Sequence, residues 1–118
     1  MIYTSYFSKK KEDFENTAYC SIAVYNPRYA LNYELKNANS IKPYGVFKKY
    51  TGEEYVEKYI ERLERVGVDR IYDDLISAQG DKENLVLMCY EKDQNDCHRS
   101  MFAKWWREKT GEIIEELK

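Results

Sequence analysis

No apolar stretch in the 118 residues approaches the ~20 needed to cross a bilayer as a helix, so a membrane span is not expected. Neither sign of charge dominates: 19 Lys and Arg face 21 Asp and Glu, a formal net charge of −2. General nucleic-acid binding rests on a basic surface, and nucleic acid is therefore not expected as a general partner. The start, Met1-Ile2-Tyr3-Thr4-Ser5-Tyr6, lacks the basic and apolar segments of an export signal. Three cysteines, an odd number, do not make a complete disulfide framework. Together these absences lead to the expectation of a cytoplasmic protein with free thiols. Internal repeats, low-complexity stretches and linkers are also lacking, and the length suits one core, so residues 1–118 are expected to form a single domain.

What is present is an alternation of strand-like and helix-like segments. Met1–Phe7 and Tyr19–Tyr25 are β-branched and aromatic, and Asn26-Pro27 stops the second of them. Asn84–Tyr90 is a near-continuous apolar run of the kind buried on both faces of a parallel sheet. Thr51-Gly52-Glu53-Glu54 has the form of a capping box ahead of an amphipathic helix that Gly67 closes. A second helix runs from Asp69, as N-cap, to Gly80. Beyond Asp96, as N-cap, Met101, Phe102, Trp105 and Trp106 recur at helical spacing. Gly111 then breaks that helix and leaves Ile113, Ile114 and Leu117 on a final turn. Arg28–Tyr50 has no clean period; a short helix near Tyr29–Leu35 and a lid or pocket-wall role are the expectations there. The order predicts a small Rossmann-like three-layer α/β domain with a mainly parallel sheet. Its strands would present Thr4-Ser5-Tyr6, Tyr25-Asn26 and Cys89-Tyr90-Glu91 along one carboxyl edge.

Cys97-His98-Arg99 falls where the third strand gives way to the last helix, facing that edge. Free backbone N–H groups and the positive end of the helix dipole converge there; such a place attracts anions and lowers the pKa of a thiol. Arg99 in the first turn calls for a negative partner, either Glu91, Asp93, Asp96 or a bound phosphate or carboxylate. Lys9-Lys10-Lys11 follows the first strand and is either a solvated loop or local charge for the same mouth. The 12 tyrosines either pack half-buried or line a pocket for a planar ligand.

These residues carry a resemblance. Tyr3-Thr4-Ser5-Tyr6-Phe7, and Leu87-Met88-Cys89-Tyr90-Glu91 followed by Cys97-His98-Arg99, resemble the domain-of-unknown-function 488 family, with its Cys-x-Glu strand end and Cys-His-Arg helix start. The resemblance implies a compact Rossmann-like α/β domain and a microbial or phage setting. It implies no reaction.

Three chemistries fit the residues. A thiol nucleophile at Cys97 or Cys89 is one, but five intervening residues lead from Cys89 to Asn95 and from Cys97 to Ala103, so the Cys-x5-Arg loop of thiol phosphatases is missing. A metal held by Cys89, Cys97, His98 and Glu91 is another; consecutive helical positions point about 100° apart and the usual two-residue spacer is absent, so no metal is expected. The third is an anion or nucleotide-like ligand site, and the residues fit it with least strain. In it Arg99, Thr4, Ser5, Tyr6 and Cys89 bind the ligand, and His98, Glu91 and Cys97 supply any catalysis. No cofactor is expected. The function expected is a ligand site for an anionic, nucleotide-like small molecule at the carboxyl edge of the sheet, with an enzyme of group transfer or hydrolysis left open. The alternative is a non-catalytic binding or sequestering domain in which Cys-His-Arg is structural. Trp105 and Trp106 are read as core, with one of them left open as a dimer contact.

Overall fold

The computed structural model describes residues 1–8, 15–29, 31, 33–91 and 98–117. These residues form an α/β fold with five parallel strands and three helices among them, compatible with the small three-layer architecture expected from sequence. The strands are β1 (Ile2–Tyr6), β2 (Thr17–Ser21), β3 (Leu35–Asn37), β4 (Asn84–Cys89) and β5 (Glu115–Glu116). The helices are α1 (Gly52–Val66), α2 (Val68–Gln79) and α3 (His98–Thr110). The strand order is β3-β2-β4-β1-β5.

β4 takes the centre because its sequence allows nothing else. Leu85, Val86, Leu87, Met88 and Cys89 are all buried, and both neighbouring strands pair with it in parallel. Register then fixes the carboxyl edge. Tyr6 lies opposite Cys89, Ser21 opposite Met88, and Asn37 opposite Ser21. The edge continues past the strands, since the Phe7 N–H donates to the Cys89 carbonyl and the Ile22 N–H to the Met88 carbonyl, each at 3.0 Å.

The helices bury the positions their periodicity marks. Tyr59 and Leu63 of α1, Ile71 and Leu75 of α2, and Phe102, Trp105 and Trp106 of α3 enter one core with the sheet. Both tryptophans are buried and both indole N–H groups are bonded. Trp105 donates to Glu64 Oε1 at 2.6 Å and Trp106 to Glu112 Oε1 at 2.8 Å. Gly67 alone separates α1 from α2. At φ 91° it occupies backbone space that side chains disfavour, its N–H donates to the Leu63 carbonyl, and its carbonyl accepts from Ile71.

The sequence expectations differ from this fold in four places. The second strand is shifted toward the N-terminus and ends at Ser21, so Tyr25 and Asn26 sit in the loop beyond it. The region near Tyr29–Leu35 contributes no helix among the described residues; Leu35–Asn37 instead adds β3 to the sheet edge. The stretch after Gly111 is not a helical turn, because Glu115–Glu116 pairs with Tyr3 and Thr4 as β5. Its brevity hides it, since two residues carry no period. The helix expected to start with Asp69 as N-cap has Gly67 in that place.

Candidate functional site

A cavity of about 640 Å³ opens above the carboxyl edge, within the range typical of small-molecule sites. Its floor is Cys89, Tyr90 and Glu91 from the end of β4, with His98 and Met101 from the first turn of α3. Ala23, Val24 and Tyr25, just past β2, form one wall. Pro43, Phe47 and Tyr50 form another, which realises the pocket-wall role expected of that segment. Thr51, Gly52, Glu53, Tyr55 and Val56 at the start of α1 close the ring.

The sequence at the start of α1 has the form of a capping box. Thr51 is extended, at φ −136° and ψ 163°, but its side chain makes no capping hydrogen bond. The first turn of α1 thus borders the cavity without a bond from the Thr51 hydroxyl to its N–H groups. Thr51→Ala is accordingly expected to change stability by less than about 0.5 kcal/mol in urea unfolding, where loss of a working cap costs ~1 kcal/mol.

His98 and Arg99, adjacent in sequence, go to different places. Consecutive helical positions diverge by about 100°. His98 turns to the β2 side. Its Nε2 bonds the Ile22 carbonyl, and its ring meets the buried Tyr59 ring edge-on at 5.5 Å. A carbonyl oxygen only accepts, so Nε2 carries the proton. Burial pushes the His98 pKa down to about 4; the Ile22 carbonyl opposes that shift and Arg99 adds to it. The imidazole is neutral at physiological pH.

Arg99 turns to the β1 side and is 0% exposed. Its Nε and Nη2 donate to the two carboxylate oxygens of Glu116 at 2.9 and 2.8 Å, a bidentate pair. Its Nη1 donates to the Glu91 backbone carbonyl and lies 3.1 Å from Cys89 Sγ, and the guanidinium carbon sits 5.8 Å from the Tyr6 ring centre. Among the described residues the negative partner of Arg99 is Glu116, seventeen residues on, together with the carbonyl rather than the carboxylate of Glu91.

Thr4 serves the same pair: its hydroxyl donates to Glu116 Oε1 at 2.6 Å. Thr4 and Ser5 are buried, Tyr6 is half-buried, and none of the three lines the cavity. Of the residues singled out in the sequence, Cys89, Glu91 and His98 line it, and Arg99, Thr4, Ser5 and Tyr6 lie outside its lining. Cys97, Asp93, Asp96 and Lys9-Lys10-Lys11 lie outside the described residues.

The expectation of free thiols needs correction. Cys20 is free and buried, and burial pushes its thiol pKa up to about 12, which leaves it unreactive. Cys89 is disulfide-bonded. An odd cysteine count excludes only complete pairing, and a bonded sulfur is no nucleophile until reduced. Among the described residues no group of three or more His, Cys, Asp or Glu side chains is placed to hold a metal ion. No helix among them is long and apolar enough to cross a membrane.

Tyrosines lining a pocket are one of two expectations for that residue type; which of them form the walls is not legible in sequence, because the residues are scattered along it. Tyr25 and Phe47 meet edge-on at 6.1 Å, and Tyr55 lies 6.4 Å from Tyr59. Lys48 lies over the Tyr25 and Phe47 rings at 5.7 and 5.6 Å, and Lys49 over Tyr50 at 5.5 Å. The ion pairs among the described residues include neither lysine.

No curated protein and no solved structure matches the chain at a significant level. A family model does: DUF488-N3a, described as the active DUF488-N3 subclade, matches residues 44–110. That span runs from the aromatic wall through α1, α2 and β4 to the end of α3, and it contains Cys89, Glu91, Cys97, His98 and Arg99. More than half of the chain is covered, and the chain belongs to the DUF488 family.

Proposed function

We propose that the protein binds a nucleotide-like ligand, its planar ring between the aromatic walls and its anionic group at the start of α1. The observation that carries this reading is the composition of the cavity mouth. Tyr25, Phe47, Tyr50, Tyr55 and Tyr90 offer ring faces, and the uncapped N-terminus of the 15-residue α1 borders the same space. Lys48 and Lys49, outside every ion pair among the described residues, stand beside those rings and add the positive charge a phosphate needs. The anion thereby sits one wall away from Arg99, whose donors already serve Glu116 and Glu91.

Binding is favoured over turnover by a specific observation. The catalytic candidate His98 and the ligand-binding candidate Arg99 of the helix start are both hydrogen-bonded to protein groups and fix the end of the sheet. A group-transfer or hydrolytic enzyme at this site would have Glu91 and Glu53 as its acid–base groups, both at the cavity. The description of the matching subclade as active supports keeping that second reading.

Titration calorimetry with nucleoside monophosphates and their parent nucleosides tests the proposal. The monophosphates are expected to bind about tenfold more tightly, ~1.4 kcal/mol. Replacing Lys48 and Lys49 together by alanine removes that increment, while Tyr50→Ala weakens both classes. Absence of binding by every nucleotide and nucleoside tried would overturn it. Chromatography of the recovered ligand separates the two readings: an altered nucleotide makes the protein an enzyme, an unaltered one a binding domain.

A further inference from the structure

We infer that the nucleotide this site takes is presented within a single-stranded nucleic acid, whose neighbouring bases stack on rings outside the cavity. The inference rests on the proposed ligand class and names the molecule that carries it. Charge is unevenly placed along the chain. Residues 28–50 hold five Lys or Arg and one Glu, a local net charge of +4 in a chain whose total is −2. The same stretch holds Tyr29, Tyr33, Tyr44, Phe47 and Tyr50. The whole-chain charge that argues against a general nucleic-acid partner therefore conceals a basic, aromatic segment.

The fold brings that segment to the cavity mouth and leaves Tyr29, Tyr44 and Phe47 exposed, beside the exposed Tyr25 and Tyr90. Tyr25, Phe47 and Tyr90 line the cavity; Tyr29, 54% exposed, and Tyr44, 44% exposed, lie beyond its lining. Aromatic surface thus continues past a space that holds one nucleotide. Packing fixes these rings, and a cation accompanies each group of them. Phe7 meets the Tyr90 ring at 4.9 Å, and Tyr25 meets Phe47 at 6.1 Å. Lys48 stands over Tyr25 and Phe47, and the Arg62 guanidinium lies 5.7 Å from the centre of the Tyr44 ring. Burial raises the Tyr90 pKa, Tyr29 adds to the rise and Arg28 opposes it, which puts the exposed Arg28 and Tyr29 near that ring. Rings interleaved with cations suit a single strand, because every base offers a flat face and every phosphate a charge. A duplex hides its base faces in its own stack. The Asp and Glu side chains of an acidic peptide would match the cations and leave the rings unused.

Fluorescence anisotropy with labelled oligothymidylate and oligouridylate of about ten nucleotides, against thymidine and uridine monophosphates as competitors, tests the inference. The strands are expected to bind about a hundredfold more tightly than the monophosphates, from two further stacked bases at roughly tenfold each. Arg28, Lys48 and Lys49 set the salt dependence, a log–log slope of about −2 from ~0.7 per phosphate contact. The Tyr29→Ala, Tyr44→Ala double variant is expected to lose most of the strand's gain and to keep the monophosphate affinity, since both rings lie outside the cavity lining. Both positions are exposed, and circular dichroism checks that the fold is intact. Monophosphate binding with no gain for the strand, equal binding of a duplex of the same length, a strand affinity untouched by the double variant, or displacement of the strand by polyglutamate would each overturn the inference and leave the nucleotide site standing. Binding by neither strand nor monophosphate removes the site reading as well.

Discussion

Replacing Glu116 by alanine is expected to lower the free energy of unfolding by about 3–5 kcal/mol, the usual cost of stripping the partner from a buried charge. Arg99 is 0% exposed and Glu116 is its carboxylate, held through both oxygens at 2.8 and 2.9 Å. Without that carboxylate a guanidinium stays inside the protein, where its neighbours among the described residues include a carbonyl, a sulfur and the Tyr6 ring. Thr4 loses its acceptor in the same change. A loss of that size is a large share of the ~5–15 kcal/mol that hold a typical domain together. The double variant Arg99→Met, Glu116→Leu removes both charges and keeps apolar volume, so it is expected to recover most of the loss. Urea unfolding of the three proteins at one pH measures both effects. A cost below about 1 kcal/mol for Glu116→Ala would show that the buried pair contributes little to stability.

The pair also explains what the sequence could and could not disclose. β4 and the helices were legible because each repeats a physical pattern over many residues: unbroken apolar side chains in Leu85–Cys89, and apolar positions three and four apart around Tyr59 and Phe102. β5 repeats nothing. It consists of two glutamates, and it exists because Arg99 and Thr4 give one of them a buried partner while the Leu117 N–H donates to the Thr4 carbonyl. A strand defined by a partner far along the chain has no local signature. The same holds for the acceptor of His98, the Ile22 carbonyl, 76 residues away. Local reading finds the place where strand turns into helix and the ~100° divergence of its consecutive residues, but not the distant partners they reach. Helical geometry separates those residues.

That separation gives the motif a division of labour. Arg99 ties the carboxyl end of β4 to β1 and β5, through the Glu91 carbonyl on one side and Glu116 on the other. His98 ties the start of α3 to the residue that follows β2. Between them the two side chains hold β1, β2, β4 and β5 to one helix start, and the cavity lies on the His98 side of the clamp. The aromatic wall belongs to the segment with no period in sequence, Pro43 to Tyr50, whose turns are held by N–H groups of Val46 and Phe47 donating to the Pro43 carbonyl. Such a segment is shaped by what it encloses rather than by a propensity of its own, which is why only its length hinted at a role.

Acidification is expected to destabilise the protein through His98, with a loss approaching about 3 kcal/mol between pH 6.5 and pH 4. Burial holds the folded-state pKa at about 4, below the ~6.5 of an unfolded histidine. Within that window the unfolded chain binds the proton and the folded one does not. Stability therefore rises with pH across it, is fully present above pH 6.5, and falls away as the pH drops through the folded value. A gap of roughly 2.5 pH units at ~1.4 kcal/mol each sets the magnitude. The cause is specific: protonation would place a cation beside Arg99 in a buried site where Nε2 already serves Ile22. Since His98 is the chain's one histidine, His98→Gln should flatten the stability profile between pH 4.5 and 6.5, whatever its cost at pH 7. Urea unfolding at half-unit pH intervals for both proteins supplies the comparison. Parallel slopes would mean that the proton uptake driving acid unfolding belongs to the carboxylates and not to this ring.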